Sequence, residues 1–193
     1  MTYEEFTSCS ELDKQQLLAW GQQTLLKDAP GVIPSLPAPP MLMFDRITSI
    51  ERKGRRGRIV AEQDVHLDAW YFQCHFTDDP VQPGCLGVDA IWQLLGMYCA
   101  LNGALGSGRA LGCREVDFFG QIRPHDSVVT YDVEVRRMST IQGNAVVIGS
   151  GSVAVDGEPI YTVGDARVGV FGDIRYDDYP NKSANAVGGV LKR

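Results

Sequence analysis

Along the C-terminal half of the chain, apolar and polar positions alternate. Val129, Tyr131, Val133 and Val135 interleave with Thr130, Asp132, Glu134 and Arg136, a period of two that gives a strand one buried and one wet face. The same reading predicts strands over 109–119, 127–138, 143–156 and 159–171, with a hairpin turn at Asp156-Gly157 between the last two. Earlier, 46–52 and 58–66 flank Lys53-Gly54-Arg55-Arg56-Gly57, another hairpin signal. Between these groups the texture changes. Leu86 to Leu101 is helical in length and almost wholly apolar, its clearest polar members being Asp89, Gln93 and Tyr98, and a helix apolar on every side is expected to be buried on every side. Ser10, Glu11 and Asp13 followed by Leu17, Leu18, Trp20 and Leu25 predict a capped amphipathic helix over about 11–27. Five prolines within 30–40 exclude regular helix or central strand and predict an ordered crossing segment leading to Met41. An antiparallel sheet placed mostly after one buried helix is an α+β pattern.

The stretch before and into the helix carries the candidate chemistry. His75 precedes a turn stiffened by Pro80, Pro83 and Gly84, and Asp89 lies beyond the first helical turn, too deep to cap free N–H groups. Burial without a cationic partner raises a carboxyl pKa, so Asp89 is expected to serve as a general acid, and histidine is the side chain whose ordinary pKa suits proton transfer near neutrality. Taken singly, His75 would more often be a satisfied half-buried imidazole than a catalyst, but as one of three histidines, flanked by Cys74 and Phe76, it reads as a candidate base. Gln93, Gly96 and Ala100 continue the Asp89 face of the helix, as a channel wall or as a close-packing stripe. His66 and His125 stand in polar, loop-like surroundings and receive no role.

Composition narrows the classes. At 193 residues and 44% hydrophobic, the chain suits one domain over 1–172 with a real core, followed by a polar, glycine-rich tail over 173–193 expected to be largely mobile. The net charge of −6 argues against a general nucleic-acid binder. Arg52, Lys53, Arg55, Arg56 and Arg58 form a local basic cluster that reads either as a solvated hairpin tip or as a dock for an acidic partner. Five cysteines without paired spacing, and no apolar signal core at the start, predict a cytosolic protein with free thiols. Cys74, His75 and Cys85 lack the spacing of a zinc site, so no metal is expected. Glycine-rich 103–108 follows a helix and precedes a strand, the reverse of a dinucleotide loop, so no nucleotide cofactor is expected. The apolar segment 84–105 nears membrane-spanning length, but Asp89, Gln93, Asn102 and several glycines interrupt it, so a core helix is the better account and no membrane partner is expected.

Met-Leu-Met-Phe-Asp-Arg at 41–46, Cys-His-Phe at 74–76, Asp-Pro-Val-x-Pro-Gly-Cys-Leu-Gly-Val-Asp-Ala-Ile-Trp-Gln-Leu at 79–94, Gly-Arg-Ala-Leu-Gly at 108–112 and Val-Asp-Gly-x-x-Ile-Tyr-Thr at 155–162 resemble the bacterial 3-hydroxydecanoyl-(acyl carrier protein) dehydratase/isomerase family. The likeness covers about residues 10–172. Aspartate rather than glutamate at 89 resembles the bifunctional branch. The resemblance implies a hot-dog fold, a sheet wrapped round a long central helix, and a homodimer whose active sites lie between chains. It implies His75 of one subunit facing Asp89 of the other, with the Gly84 N–H on the thioester carbonyl oxygen, a role that the free amides of a helix N-terminus support independently. It further implies an acyl channel lined by Cys74, Phe76, Val81, Cys85, Trp92, Gln93 and Phe171, and docking of the acidic acyl carrier protein on Arg137 and Arg167. Thr140, Ile141 and Gln142 replace a further basic pair of the family. The expected reaction is dehydration of a 3-hydroxyacyl thioester to the trans-2-enoyl product, then isomerisation of trans-2-decenoyl to cis-3-decenoyl, in unsaturated fatty acid biosynthesis. Being redox-neutral, it calls for no redox cofactor. Rival readings are a dehydratase without isomerase activity, a hot-dog thioesterase, and a non-catalytic acyl-chain or carrier-binding module.

Overall fold

The computed structural model describes residues 1–172 and Ile174, so the tail expected over 173–193 lies, apart from Ile174, outside the described residues. Among the described residues, seven antiparallel strands form one sheet: β1 (Arg46–Lys53), β2 (Arg56–Asp64), β3 (Ser107–Gly112), β4 (Glu115–Phe118), β5 (Val128–Ile141), β6 (Asn144–Val155) and β7 (Glu158–Phe171). Their order is β1-β2-β5-β6-β7-β3, with β4 also on β7. The Asp156-Gly157 turn forms as expected, both residues at positive φ (50° and 89°), which matches the twist of the strands it joins. Asp156 also accepts the N–H of Val128 at 2.9 Å, tying that turn back to the start of β5.

The helix α3 (Gly84–Leu101) packs on one face of this sheet, against β2, β5, β6 and β7. Ile91, Leu94, Leu95 and Leu101 meet Ile59, Val133, Val147 and Val153 in one fully buried core. Backbone approach is close: a Cβ on Gly151 of β6 would stand 2.5 Å from Ile91 Cδ1, so the sheet bares its main chain to let the helix in. The antiparallel α+β, hot-dog architecture is therefore the one anticipated. With 72% of its length buried in the protein, α3 is a core helix despite its apolarity.

Three local expectations change. The N-terminal helix expected over 11–27 is shorter, α2 (Lys14–Gly21), and a further short helix, α1 (Tyr3–Ser8), precedes it; each opens on a capping box, Thr2 with Glu5 and Asp13 with Gln16. The strand expected over 109–119 is β3 and β4, because β7 bulges around Asp165 (φ 47°) and its partner breaks at the same level. Finally, α3 is not covered on every side. Cys85 is exposed and Asp89, Trp92, Gln93 and Gly96 are half-buried, a stripe at helical spacing that the chain itself leaves open.

Candidate active site

The loop that carries His75 is held by its own main chain. A 3-10 turn (Trp70–Gln73), anchored by buried Tyr71 and Phe72, delivers the His75 N–H to Tyr71 O at 2.8 Å. Val81 N–H then donates to His75 O at 2.8 Å, and the His75 ring returns the bond, Nδ1 to Val81 O at 2.9 Å. A carbonyl oxygen only accepts, so this contact assigns the proton to Nδ1 and leaves Nε2 of the neutral ring with its lone pair free. Phe76 stacks on the imidazole, centroids 4.0 Å apart.

His75 borders a hollow of about 310 Å³ with Gln82, Gly84, Cys85, Phe118 and Tyr161. Here α3 begins. Its N-cap is Pro83, whose side chain offers no capping acceptor, and among the described residues nothing accepts from the Gly84 and Cys85 amides. Unsatisfied N–H groups at a helix N-terminus attract negative charge. Behind the loop, Tyr131 O–H donates to Gln63 Oε1 at 2.6 Å, and Gln63 Nε2 donates to Tyr71 OH at 3.0 Å and to Gln82 Oε1 at 3.3 Å. Burial pushes the Tyr71 phenol up to about 12 and raises that of Tyr131 as well. Of this network only Gln82 reaches the hollow, whose lining is otherwise mostly apolar, with Val81, Pro83, Phe118 and Ile122.

Asp89 lies elsewhere within the same chain. It borders a second hollow, of about 260 Å³, with Pro37, Trp92, Gln93, Arg109 and Val168, which shares no lining residue with the first. Gln93, one helical turn on, donates from Nε2 to Asp89 Oδ2 at 2.6 Å and to Met41 O at 2.8 Å, while its Oε1 accepts the Met43 N–H at 3.3 Å. Gln93, expected as a channel wall, is also the brace that ties Asp89 to segment 41–43.

The other expected site residues divide between the two hollows. Val81 and Cys85 border the His75 side and Trp92 the Asp89 side, whereas Cys74, Phe76 and Phe171 border neither. Phe76 is 52% exposed, and Cys74 leans back on Trp70 O and Tyr71 O. One chain therefore does not assemble a continuous acyl channel from the seven. Arg137 and Arg167 are exposed and stand opposite Ile148 from either side, on β5 and β7, so both lie on the outer sheet face, about 10 Å apart at two strand spacings. The hairpin-tip cluster is largely committed: Arg58 clasps Asp132 with two bonds (2.6 and 2.8 Å), Lys53 pairs with Glu51, and Arg52 turns in to Cys9 O. His66 approaches Asp45 and Asp64 within 4.8 Å, but Asp64 already holds Arg46 in two bonds and Asp45 holds Lys14, so the group reads as an ion-pair knot. Tyr161, Gln82 and Arg109 were not legible as site neighbours. Tyr161 and Arg109 reach the hollows through strand pairings, and Gln82 is distinguished only by the partners that bury it.

A curled antiparallel sheet around an axial helix, with a histidine loop at the helix N-terminus, defines a hot-dog domain. The FabA-like domain family matches residues 36–164, about two-thirds of the 193-residue chain, and the protein belongs to that family. The match includes His75, Gly84 and Asp89 and stops short of Arg167 and Phe171. Among solved structures, the dehydratase heterocomplex ApeI:P from Xenorhabdus doucetiae is similar at TM-score 0.50 and 12% identity, over 70% of this chain and 86% of that one. A hypothetical thioesterase with coenzyme A from Streptococcus pneumoniae TIGR4 aligns at 0.47 and 15%, over 64% and 85%. The PaaI protein from a phenylacetic acid degradation operon of E. coli aligns at 0.46 and 14%, over 63% and 79%. At these identities the likeness is one of fold.

Proposed function

We propose that the protein dehydrates 3-hydroxyacyl thioesters carried on acyl carrier protein, through sites that pair His75 of one copy with Asp89 of a second. The observation that carries this reading is the His75 ring, its Nδ1–H held on Val81 O so that Nε2 is a free base beside the uncapped N-terminus of α3. His75 Nε2 takes a C2 proton, and the electron pair moves onto the thioester carbonyl, whose oxygen the Gly84 N–H faces. As that pair returns to form the C2–C3 double bond, the C3–O bond breaks and the Asp89 carboxyl gives its proton to the departing hydroxyl, which leaves as water. Proton exchange with solvent then restores both groups. Asp89 opens on a separate hollow in its own chain, which supports a second copy as the source of the acid, with the open stripe of α3 as the surface that copy would cover.

The isomerase step is part of the same proposal. The imidazole removes a C4 proton from the trans-2-decenoyl chain and a proton returns to C2, giving the cis-3 product, with Asp89 in place of glutamate as the feature that supports it. Arg137 and Arg167 are the proposed contacts for the acidic carrier. The test is purified protein with 3-hydroxydecanoyl thioester and chromatographic resolution of the products. Trans-2- and cis-3-decenoyl thioesters support the reading. Trans-2 alone retains the dehydratase and removes the isomerase, whereas free acid with released thiol replaces both with a thioesterase.

A further inference from the structure

One buried polar group beside His75 is unused by that reaction. Tyr161 sits at an inner position of β7, 2% exposed, and its hydroxyl has no partner among the described residues. It borders the His75 hollow, its ring packed on Phe118 with centroids 5.0 Å apart, and its hydroxyl lies over Gly87 of α3, where any Cβ would collide with it. An unpaired buried hydroxyl destabilises a fold, and phenylalanine would fill the same space without that penalty.

The neighbourhood states what the hydroxyl is suited to meet. Gly87 is three residues beyond Gly84, roughly 4.5 Å along the helix axis, so the phenol stands within about one helical turn of the free Gly84 and Cys85 amides, in the wall of the same hollow. Burial raises the phenol pKa far above its ordinary value, so the group keeps its proton and donates. Unpaired donors this close together suit an acceptor oxygen that gains negative charge, which is what the carbonyl oxygen becomes when C2 is deprotonated.

We propose that the Tyr161 hydroxyl donates a hydrogen bond to the carbonyl oxygen of the bound acyl thioester, beside the Gly84 amide, and stabilises the enolate-like oxygen. The proton stays on Tyr161 throughout. This inference rests on the dehydratase reading of the His75 hollow, and Tyr161 joins it as a substrate-touching residue.

The experiment compares wild type with Tyr161→Phe on a 3-hydroxydecanoyl N-acetylcysteamine thioester, with thermal unfolding in parallel. The variant is expected to lose kcat by about tenfold or more while KM changes little and its melting temperature holds or rises. Full kcat in the variant overturns the inference and leaves the dehydratase reading in place, whereas a wild type with no turnover removes both. If the variant melts early, the carbonyl stretch of a 13C-labelled trans-2-decenoyl thioester bound to wild type decides instead. A shift to lower frequency that is reduced on Tyr161→Phe supports the bond, and a shift of the same size in both proteins overturns it.

Discussion

The two halves of the candidate site are held in different ways. His75 is fixed by the main chain: Tyr71 O, Val81 N–H and Val81 O hold both its backbone and its ring. Asp89 is fixed by one side chain, Gln93, which is itself tied to main-chain atoms of Met41 and Met43. Main-chain anchors survive most side-chain substitutions in the segments that supply them, whereas a single side-chain brace is lost with one substitution. His75 is thus buffered against mutation and Asp89 is exposed to it. A brace sharing its amide among Asp89, Met41 and Met43 also ties the carboxyl to the placement of segment 41–43.

The largest effects test whether the halves act together at all. His75→Ala and Asp89→Asn are each expected to lower kcat/KM by about 10²–10⁴, read by ultraviolet absorbance of the enoyl product. In isolated heterodimers of the two inactive chains, one site keeps both native groups and the other keeps neither, so turnover should return to about half the wild-type value per dimer. Heterodimers as inactive as their parents would show that His75 and Asp89 do not share a site across chains.

Gln93→Leu addresses the asymmetry itself. Leucine keeps the bulk but drops the hydrogen bonds to Asp89, Met41 and Met43, so the carboxyl loses its fixed orientation, and kcat should fall by roughly tenfold with little change in KM. Gln93→Glu keeps an acceptor for Met43 N–H but sets a second carboxyl against Asp89, and should shift the acidic limb of the pH–rate profile, which loss of packing alone would not do. An unchanged kcat in Gln93→Leu would mean that Asp89 needs no brace.

Much of this arrangement was legible in the chain, and what was not has a common cause. α3 (Gly84–Leu101) was readable because proline stops the preceding loop and a mostly apolar run of helical length starts at Leu86. β5 was readable because its alternation reports one wet face, a local property. The same apolar run misled on exposure: Cys85, Trp92 and Gly96 are apolar or small yet face outward from the chain, and composition cannot say whether an apolar stripe meets its own sheet or another molecule. The N-terminal helices failed for a different reason. Thr2 with Glu5 and Asp13 with Gln16 both stand at capping-box spacing, but the leucines after Ser10 suggested one longer helix. The split of His75 and Asp89 between two hollows, and Tyr161 over Gly87, depend on strand register and on contacts more than 70 residues apart in sequence. Sequence periodicity assigns a face to each such residue and leaves its partner open.

Two buried tyrosines sharpen the contrast between a satisfied and a reserved hydroxyl. Tyr131 donates to Gln63 Oε1 at 2.6 Å inside the network behind the His75 loop. Tyr131→Phe leaves that acceptor short of its partner, so unfolding free energy should drop by about 1–3 kcal/mol in urea melts. Tyr161→Phe should not drop it. If both variants lost stability alike, the Tyr161 hydroxyl would have a structural partner after all.

The smallest expected effect follows the Asp89 half out to the surface. Asp64 N–H donates to Asp45 Oδ2, Asp64 takes two bonds from Arg46, and Asp45 closes the segment that begins with the Met41 and Met43 contacts to Gln93. The Arg46 guanidinium holds the Asp64 carboxyl below its ordinary range. A carboxyl depressed in the folded state contributes stability above its unfolded pKa of about 4, and that contribution is lost as pH falls through the lower folded value. The Asp64 side chain is 40% exposed, so solvent screens the pair and its worth is under about 1 kcal/mol. Arg46→Gln should therefore cost a few tenths of a kcal/mol at pH 7, and the gap to wild type should shrink toward zero near pH 2, measured by urea unfolding at both values. A gap that widened in acid would reverse the sign of the linkage and remove Asp64 from the support of the 41–45 segment.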